Sequence, residues 1–251
     1  MLKEIDLEVI KSIALEASEI ILSIYNEDFS VTYKADNSPL TQADLKANDL
    51  ICRRLKESYP GIHIMSEETK AEDFSLRKDW EYYWCIDPID GTKEFVKRTG
   101  EFTVNIALMH KNLPVLGVVH APIFEVMYSA KKGEGAFKNG RKLPLHVNKT
   151  PQKSMCVAAS KSHLSKETQL FIDALDTQKV EQVLMGSSLK LCMVAEGVAD
   201  IYPRLAPTME WDTAASHAIV LESGKNVYDY ETDTQLQYNK ENLLNTWFIV
   251  R

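Results

Sequence analysis

Apolar residues recur at spacings of three and four near the start of the chain, at Ile5, Val9, Ile13, Ala17, Ile20 and Ile24, with charges between them. That spacing predicts a helix with one buried face. The polar stretch VTYKADNSPLT reads as a loop. Thr41 then serves as N-cap of a second helix, with Leu45, Ile51 and Leu55 turned inward and YPG at its end. The short apolar runs IHIM and YYWCI predict strands, and each runs straight into acids. TVNIALMHK, PVLGVVHAP and VMYSAKK continue as a strand series. A glycine-rich turn, KKGEGAFKNGRKLP, follows.

From about residue 147 the pattern changes to alternation. SMCVAAS is a strand, SKETQLFIDAL a helix and KVEQVLMG a strand. SSLKLCMVAEG is a helix capped by serine and closed by glycine; ADIYPR is a strand, and EWDTAASHAIVLESG another helix closed by glycine. Strand–helix alternation of this kind predicts a layered α/β second half. The expected organisation is two tightly packed halves, 1–146 and 147–251. A chain of 251 residues has material for a large core or for two such halves.

Charge narrows the function. The net charge is -7, with no basic stripe of the kind that follows a nucleic-acid backbone. Lys131, Lys132, Lys138, Arg141 and Lys142 are interleaved with glycine and read as a solvated turn. An acidic chain that handles an anion needs local cations, and metal ions supply them. The four cysteines form no C-x-x-C pair, so they read as small buried hydrophobes rather than zinc ligands. Free core thiols suit a reducing, cytoplasmic compartment. The N-terminus lacks the apolar core of a secretion signal, and no apolar run approaches the about 20 residues of a membrane span.

Four acidic spots stand at element edges: Asp44 in the first turn of the second helix, Glu67 after the first strand, Asp87 and Asp90 after the next, and Asp212 at the start of a C-terminal helix. Asp44 fits a capping box with Thr41. Glu67 fits a solvated loop, and Asp212 fits a charge that complements a helix dipole. The stretch WCIDPIDGTKEF does not reduce to such readings. Its carboxylates follow a strand too apolar for a sheet edge. Pro88 stiffens the turn, and the Ile89 carbonyl can turn inward with Asp87 and Asp90. Two carboxylates and a carbonyl form a hard oxygen set suited to Mg²⁺. Gly91 and Thr92 then offer backbone N–H groups to phosphate oxygens. The Thr92 hydroxyl can pair with Asp44 to orient and deprotonate a water. Together these residues point to metal-assisted phosphoester hydrolysis.

DPIDGT, SEE at 66–68 and WDTAA resemble the inositol monophosphatase superfamily, in the right order and across nearly the whole chain. The resemblance implies an αβαβα sandwich and a lithium-sensitive, Mg²⁺-dependent phosphatase. DGTKEF, with GSSLKLCMVAEGVADIYPRLAPTMEWDTAA, is similar to the 3'(2'),5'-bisphosphate nucleotidase branch. That branch removes the 3'-phosphate of adenosine 3',5'-bisphosphate, a by-product of sulfate-donor chemistry, leaving AMP. The resemblance assigns Glu67, Asp87 and the Ile89 carbonyl to one metal, and Asp87, Asp90 and Asp212 to a second. It gives water activation to Asp44 and Thr92, and the scissile phosphate to the Gly91 and Thr92 amides. Ser160 with His163, and Ser187 with Lys190, match motifs that line the nucleotide pocket, where Asp212 also faces substrate. Some relatives are reported on membrane surfaces, so peripheral contact is compatible with this reading. An inositol or sugar-phosphate monophosphatase is the alternative within enzymes, disfavoured by Lys93-Glu94 after DGT. A non-catalytic metal-binding module is the alternative outside them, and it has no need of a water-activating pair.

Overall fold

The N-terminal periodicity becomes α1 (Leu7–Tyr25), capped by Asp6, whose carboxylate accepts the Glu8 amide. Its buried face runs through Ile10, Ile13, Ala14, Ala17 and Ile21, while Val9, Ile20 and Ile24 lie half-buried at the flanks. The computed structural model describes residues 1–34, 39–146, 154–161 and 165–251. The stretch expected as a loop contains two short antiparallel strands, β1 (Val31–Tyr33) and β2 (Pro39–Thr41). Then comes α2 (Gln42–Ser58), which buries Ala43, Ala47, Ile51 and Leu55, with Leu45 at the margin.

A seven-stranded sheet follows in simple sequence order: β3 (His63–Ser66), β4 (Tyr82–Asp90), β5 (Thr103–His110), β6 (Leu113–Ala121), β7 (Val126–Lys131), β8 (Gly135–Lys138) and β9 (Arg141–Lys142). Only β3 and β4 run parallel; the remaining neighbours are antiparallel. The parallel pair needs a crossover, and the short α3 (Phe74–Arg77) lies in it. The glycine-rich turn is in fact two tight hairpins, because β8 and β9 extend the ladder at the sheet edge.

Both faces of this sheet are covered, which is why YYWCI reads as an unbroken apolar run. Trp84 and Ile86 enter the core under α1 and α2. Tyr83 and Cys85 enter the other core, with α6 (Leu189–Glu196) and α7 (Glu210–Glu222). That second core draws residues from both sides of 147–153. A Cβ on Gly117 would lie 2.1 Å from the Ala215 carbonyl oxygen. The glycine in β6 and the alanines of α7 thus let helix backbone rest on sheet backbone, which fixes how Asp212 meets the end of β4.

Beyond the helices lie β10 (Ser154–Ser160), parallel to β11 (Lys179–Met185), and a three-stranded sheet of β12 (Tyr202–Arg204), β14 (Phe248–Val250) and β13 (Val227–Asp229). A bridge from Val157 to Ile201 joins them. The outer helix α5 (Lys166–Asp173) adds Ile172 to a small cluster with Val157, Ile201 and Ile249. The result is an αβαβα sandwich. Ser188, expected to cap α6 with its side chain, makes no capping bond. Its hydroxyl meets Asn105 and Thr103 of β5 instead. No helix among the described residues is long and apolar enough to cross a membrane.

Candidate active site

Asp87 and Asp90 are separated by two residues, which in an unbroken strand aims them at opposite faces. The β4–β5 ladder shows why they share one. Asp87 lies opposite Asn105 and Asp90 opposite Thr103, with a register shift between them. Three steps on β4 are matched by two on β5, so one extra residue bulges out and restores a common face. Pro88 sits in the bulge, where a missing N–H costs no ladder bond. Both aspartates line one cleft of about 250 Å³. Ile89 lines it too, although its side chain is buried in the core with Phe95 and Phe102. Its carbonyl oxygen lies 3.1 Å from the Thr92 hydroxyl oxygen and is, with Asp44 Oδ1, one of two alternative acceptors of that single hydroxyl proton.

Gly91 turns the chain out of the bulge with φ 94°, and a Cβ there would meet the Glu101 carbonyl oxygen at 3.0 Å. Only glycine adopts that turn without strain. It leads into the short helix α4 (Thr92–Val96), and Gly91 and Thr92 both line the cleft.

Parallel pairing sets Ser66 opposite Ile86, and the Glu67 amide donates to the Ile86 carbonyl. Glu67 is thereby carried to the flank of Asp87. Asp212 arrives from the first turn of α7, where its carboxylate also accepts the Met209 amide at 2.9 Å. Ligand oxygens of Glu67, Asp87 and Asp212 all lie within 4.8 Å of one another. Burial, and then the neighbouring carboxylates, push the Asp87 and Asp212 carboxyls well above their usual range. Burial raises Asp90 to about 6, against the pull of Lys190 and the Ser188 amide. Carboxylates crowded and desolvated in this way call for a cation, and an all-oxygen set fits a hard divalent one. Lys34 bonds Glu67 and Glu68 at 2.7 Å each and neutralises that edge of the group.

Asp44 serves two purposes. One carboxylate oxygen completes the capping box, accepting the Thr41 amide at 2.7 Å and the Thr41 hydroxyl at 2.6 Å. The other faces the Thr92 hydroxyl at 3.2 Å. Asp44 is 1% exposed, and burial raises its pKa.

Pro39, Lys93 and Glu94 also line the cleft, and much of its remaining wall comes from the second half of the chain. Ser187 has φ 49°, a left-handed turn that places the Ser188 amide on Asp90 at 2.5 Å. Lys190 is buried. Its ammonium donates to the Ser187 carbonyl at 2.6 Å and lies 5.6 Å from the Tyr202 ring centre. Burial, opposed by Asp90, lowers its pKa to about 8. Ser160, Ser187 and Lys190 line the cleft. His163 lies outside the described residues.

Sequence reasoning missed Arg204 and Thr208. Both line the cleft, and Arg204 Nε and Thr208 Oγ1 are buried with no hydrogen-bond partner among the described residues. Unpaired buried donors at a cleft wall are places for ligand atoms. Arg204 closes the strand read as ADIYPR, so a cation at a strand end beside the GSSLK helix was the available signal. Glu94, also on the wall, shows why this cleft is not uniformly basic.

The model for the inositol monophosphatase family matches residues 2–247. A curated relative from Salmonella typhimurium, 3'(2'),5'-bisphosphate nucleotidase CysQ, is 40% identical over 97% of this chain and 98% of its own. The corresponding CysQ of Haemophilus influenzae is 33% identical over 95% of this chain and 89% of its own. Among solved structures, CysQ from Bacteroides thetaiotaomicron superposes with a TM-score of 0.87 at 43% identity, covering 98% of this chain and 96% of that one. The IMPase of Thermotoga maritima gives 0.76 at 26% identity, covering 95% and 89%. The family is metal-dependent, in keeping with the carboxylates gathered at the end of β4. With its sandwich, its bulged DPIDGT strand and a match from end to end, the chain belongs to the inositol monophosphatase family.

Proposed function

We propose that the chain is a Mg²⁺-dependent 3'(2'),5'-bisphosphate nucleotidase that removes the 3'-phosphate of adenosine 3',5'-bisphosphate to leave AMP and phosphate. The observation that carries this reading is the convergence of Glu67, Asp87 and Asp212 within 4.8 Å, in a cleft that also holds Lys190 and Arg204. A metal group alone serves any phosphomonoester. Cationic side chains in the same cleft suit a substrate with a second phosphate. The 40% identical relative named for this activity supports the same substrate.

In this reading Glu67, Asp87 and the Ile89 carbonyl hold one Mg²⁺, and Asp87, Asp90 and Asp212 hold another. Such ions, when bound, acidify water and take up charge that develops on phosphate and leaving oxygens. The chain's own residues do the remaining work. With the Ile89 carbonyl engaged by the ion, Thr92 would donate its one hydroxyl proton to Asp44 Oδ1 and keep its lone pairs to accept a proton from the attacking water. Thr41 saturates the other Asp44 oxygen and so fixes the direction of the acceptor. The raised pKa of Asp44 makes it the better base. The Gly91 and Thr92 amides hold the scissile phosphate at the start of α4. Lys190 and Arg204 take the 5'-phosphate, and Ser160 and Ser187 border the nucleoside, a role the sequence resemblance also gives to His163, with Asp212 toward the sugar. The first half, 1–146, supplies most metal ligands, and the second, 147–251, supplies Asp212 and the pocket. Free thiols and a nucleotide substrate support a cytoplasmic location.

The test is a substrate panel. Phosphate release with Mg²⁺ is measured for adenosine 3',5'-bisphosphate, inositol 1-phosphate, fructose 1,6-bisphosphate and AMP. The nucleotide bisphosphate should give the highest kcat/KM. Lys190→Ala and Arg204→Ala should each raise its KM by roughly 10- to 150-fold, the worth of one charge-assisted contact. Metal dependence should stay unchanged. If inositol 1-phosphate is the better substrate of the wild type, the nucleotidase reading fails and the monophosphatase takes its place.

A further inference from the structure

The carboxylate that stands two residues before Asp212 has no place in the mechanism above. Glu210 is the first residue of α7, is 0% exposed and does not line the cleft. Its oxygens are nevertheless fully engaged. One accepts the Lys240 ammonium at 2.6 Å and the Lys240 amide at 3.1 Å; the other accepts the Asn239 amide at 2.7 Å. The same segment grips the helix start a second time. Asn245 donates from its amide group to the Met209 carbonyl at 2.9 Å and to Thr213 Oγ1 at 3.0 Å. Met209 is also the residue whose N–H holds the Asp212 carboxylate. The far end of the segment is anchored by Arg77 of α3, which is 2% exposed and bonds Asn239 Oδ1 at 2.7 Å and the Glu241 carbonyl at 2.9 Å.

A buried ion pair rarely adds net stability over apolar residues of similar size, so its retention needs another reason. Asp212 supplies one. Its neighbours Asp90 and Glu67 repel it, and a helix start free to yield would relax away from the group. We propose that residues 239–245 form a strap that holds Asp212 in place for divalent-cation binding, with the Glu210–Lys240 pair as its lock. Glu210, Lys240 and Asn245 are positioning residues: they act through the Met209 peptide and the first turn of α7, and touch neither ion nor substrate. This inference rests on the reading of Asp212 as a metal ligand.

The test measures Mg²⁺ binding to the full-length, substrate-free protein by calorimetric titration, alongside kcat at saturating Mg²⁺. The variant is the neutral pair Glu210→Gln/Lys240→Met, which avoids leaving one charge buried alone. Its Kd for Mg²⁺ should rise by at least about 10-fold, the usual effect of removing a partner that orients a ligand, with kcat at saturating Mg²⁺ largely retained. Asn245→Ala, checked for folding by circular dichroism, should move Kd in the same direction. The comparison variant is Glu196→Gln/Lys138→Met. It neutralises an equally buried pair, bonded at 2.8 Å, on the C-terminal turn of α6. It should leave the Mg²⁺ Kd within about twofold of wild type. A folded Glu210/Lys240 or Asn245 variant that binds Mg²⁺ like the wild type overturns the strap, as does an equal loss in the Glu196/Lys138 control. A wild type that binds no divalent cation overturns the proposed function itself, and the strap with it.

Discussion

Asp90→Asn lowers kcat at saturating Mg²⁺ by at least about 100-fold, given the several kcal/mol that a metal contributes to charge stabilisation. The fold survives. Asparagine keeps an oxygen for the Ser188 amide, and the substituted side chain stays at the cleft edge. Stability without Mg²⁺ should rise. In the metal-free chain Asp90 is held up to about 6, against about 3.9 for an unperturbed aspartate. Its charged form therefore opposes folding above pH 6, and the opposition fades as pH falls from about 6 towards 4. Melting curves in a chelating buffer should show the variant above wild type at pH 8, with the gap closing on acidification. Near-normal kcat at saturating Mg²⁺ contradicts the assignment of Asp90.

The second large effect belongs to the water-activating pair. Asp44→Asn and Thr92→Ala should each cost about 100- to 10,000-fold in kcat, the usual range for a positioned general base. The double variant should cost no more than the worse single one, because groups that act as a unit are non-additive. The 3.2 Å contact between Thr92 Oγ1 and Asp44 Oδ1 is the physical basis. Asparagine at position 44 keeps an oxygen for the Thr41 amide and hydroxyl, so the fold should survive either replacement and the losses read on kcat. If the two losses simply multiply, Asp44 and Thr92 act independently and the pairing fails.

The carboxylate end of the cleft was legible in the sequence because its chemistry is local. DPIDGT carries both aspartates and the carbonyl on one bulged strand, with the amides proposed for phosphate just beyond it, and proline and glycine mark the bulge and the exit. The convergence of Glu67 and Asp212 on that strand was legible only through resemblance. It depends on parallel pairing of β3 with β4 and on the close seat of α7 at Gly117, and neither follows from periodicity. Asp44 shows the ambiguity most plainly: the capping reading and the catalytic reading each use one of its two oxygens. Lys190 matched a nucleotide-pocket motif and does line the cleft, but it is 5% exposed and already bonded to the Ser187 carbonyl, which no local pattern shows. Arg204 and the strap at 239–245 went unread because their partners are distant in sequence and their own segments have weak patterns. The short strands β1, β2, β8 and β9 read as loop and turn in the sequence for a related reason. Two to four residues are too few to show an alternation, and pairing with neighbours makes them strands.

The central claim is that the chain cleaves one particular bond of a nucleotide bisphosphate. Adenosine 3',5'-bisphosphate should be incubated with the protein and Mg²⁺, and the products followed by phosphorus NMR. The expected record is loss of the 3'-phosphate resonance, equimolar growth of inorganic phosphate and an unchanged 5'-phosphate resonance, with the reaction stopping at AMP and abolished by a chelator. Release of the 5'-phosphate, continued hydrolysis to adenosine, or full activity without a divalent ion would contradict it.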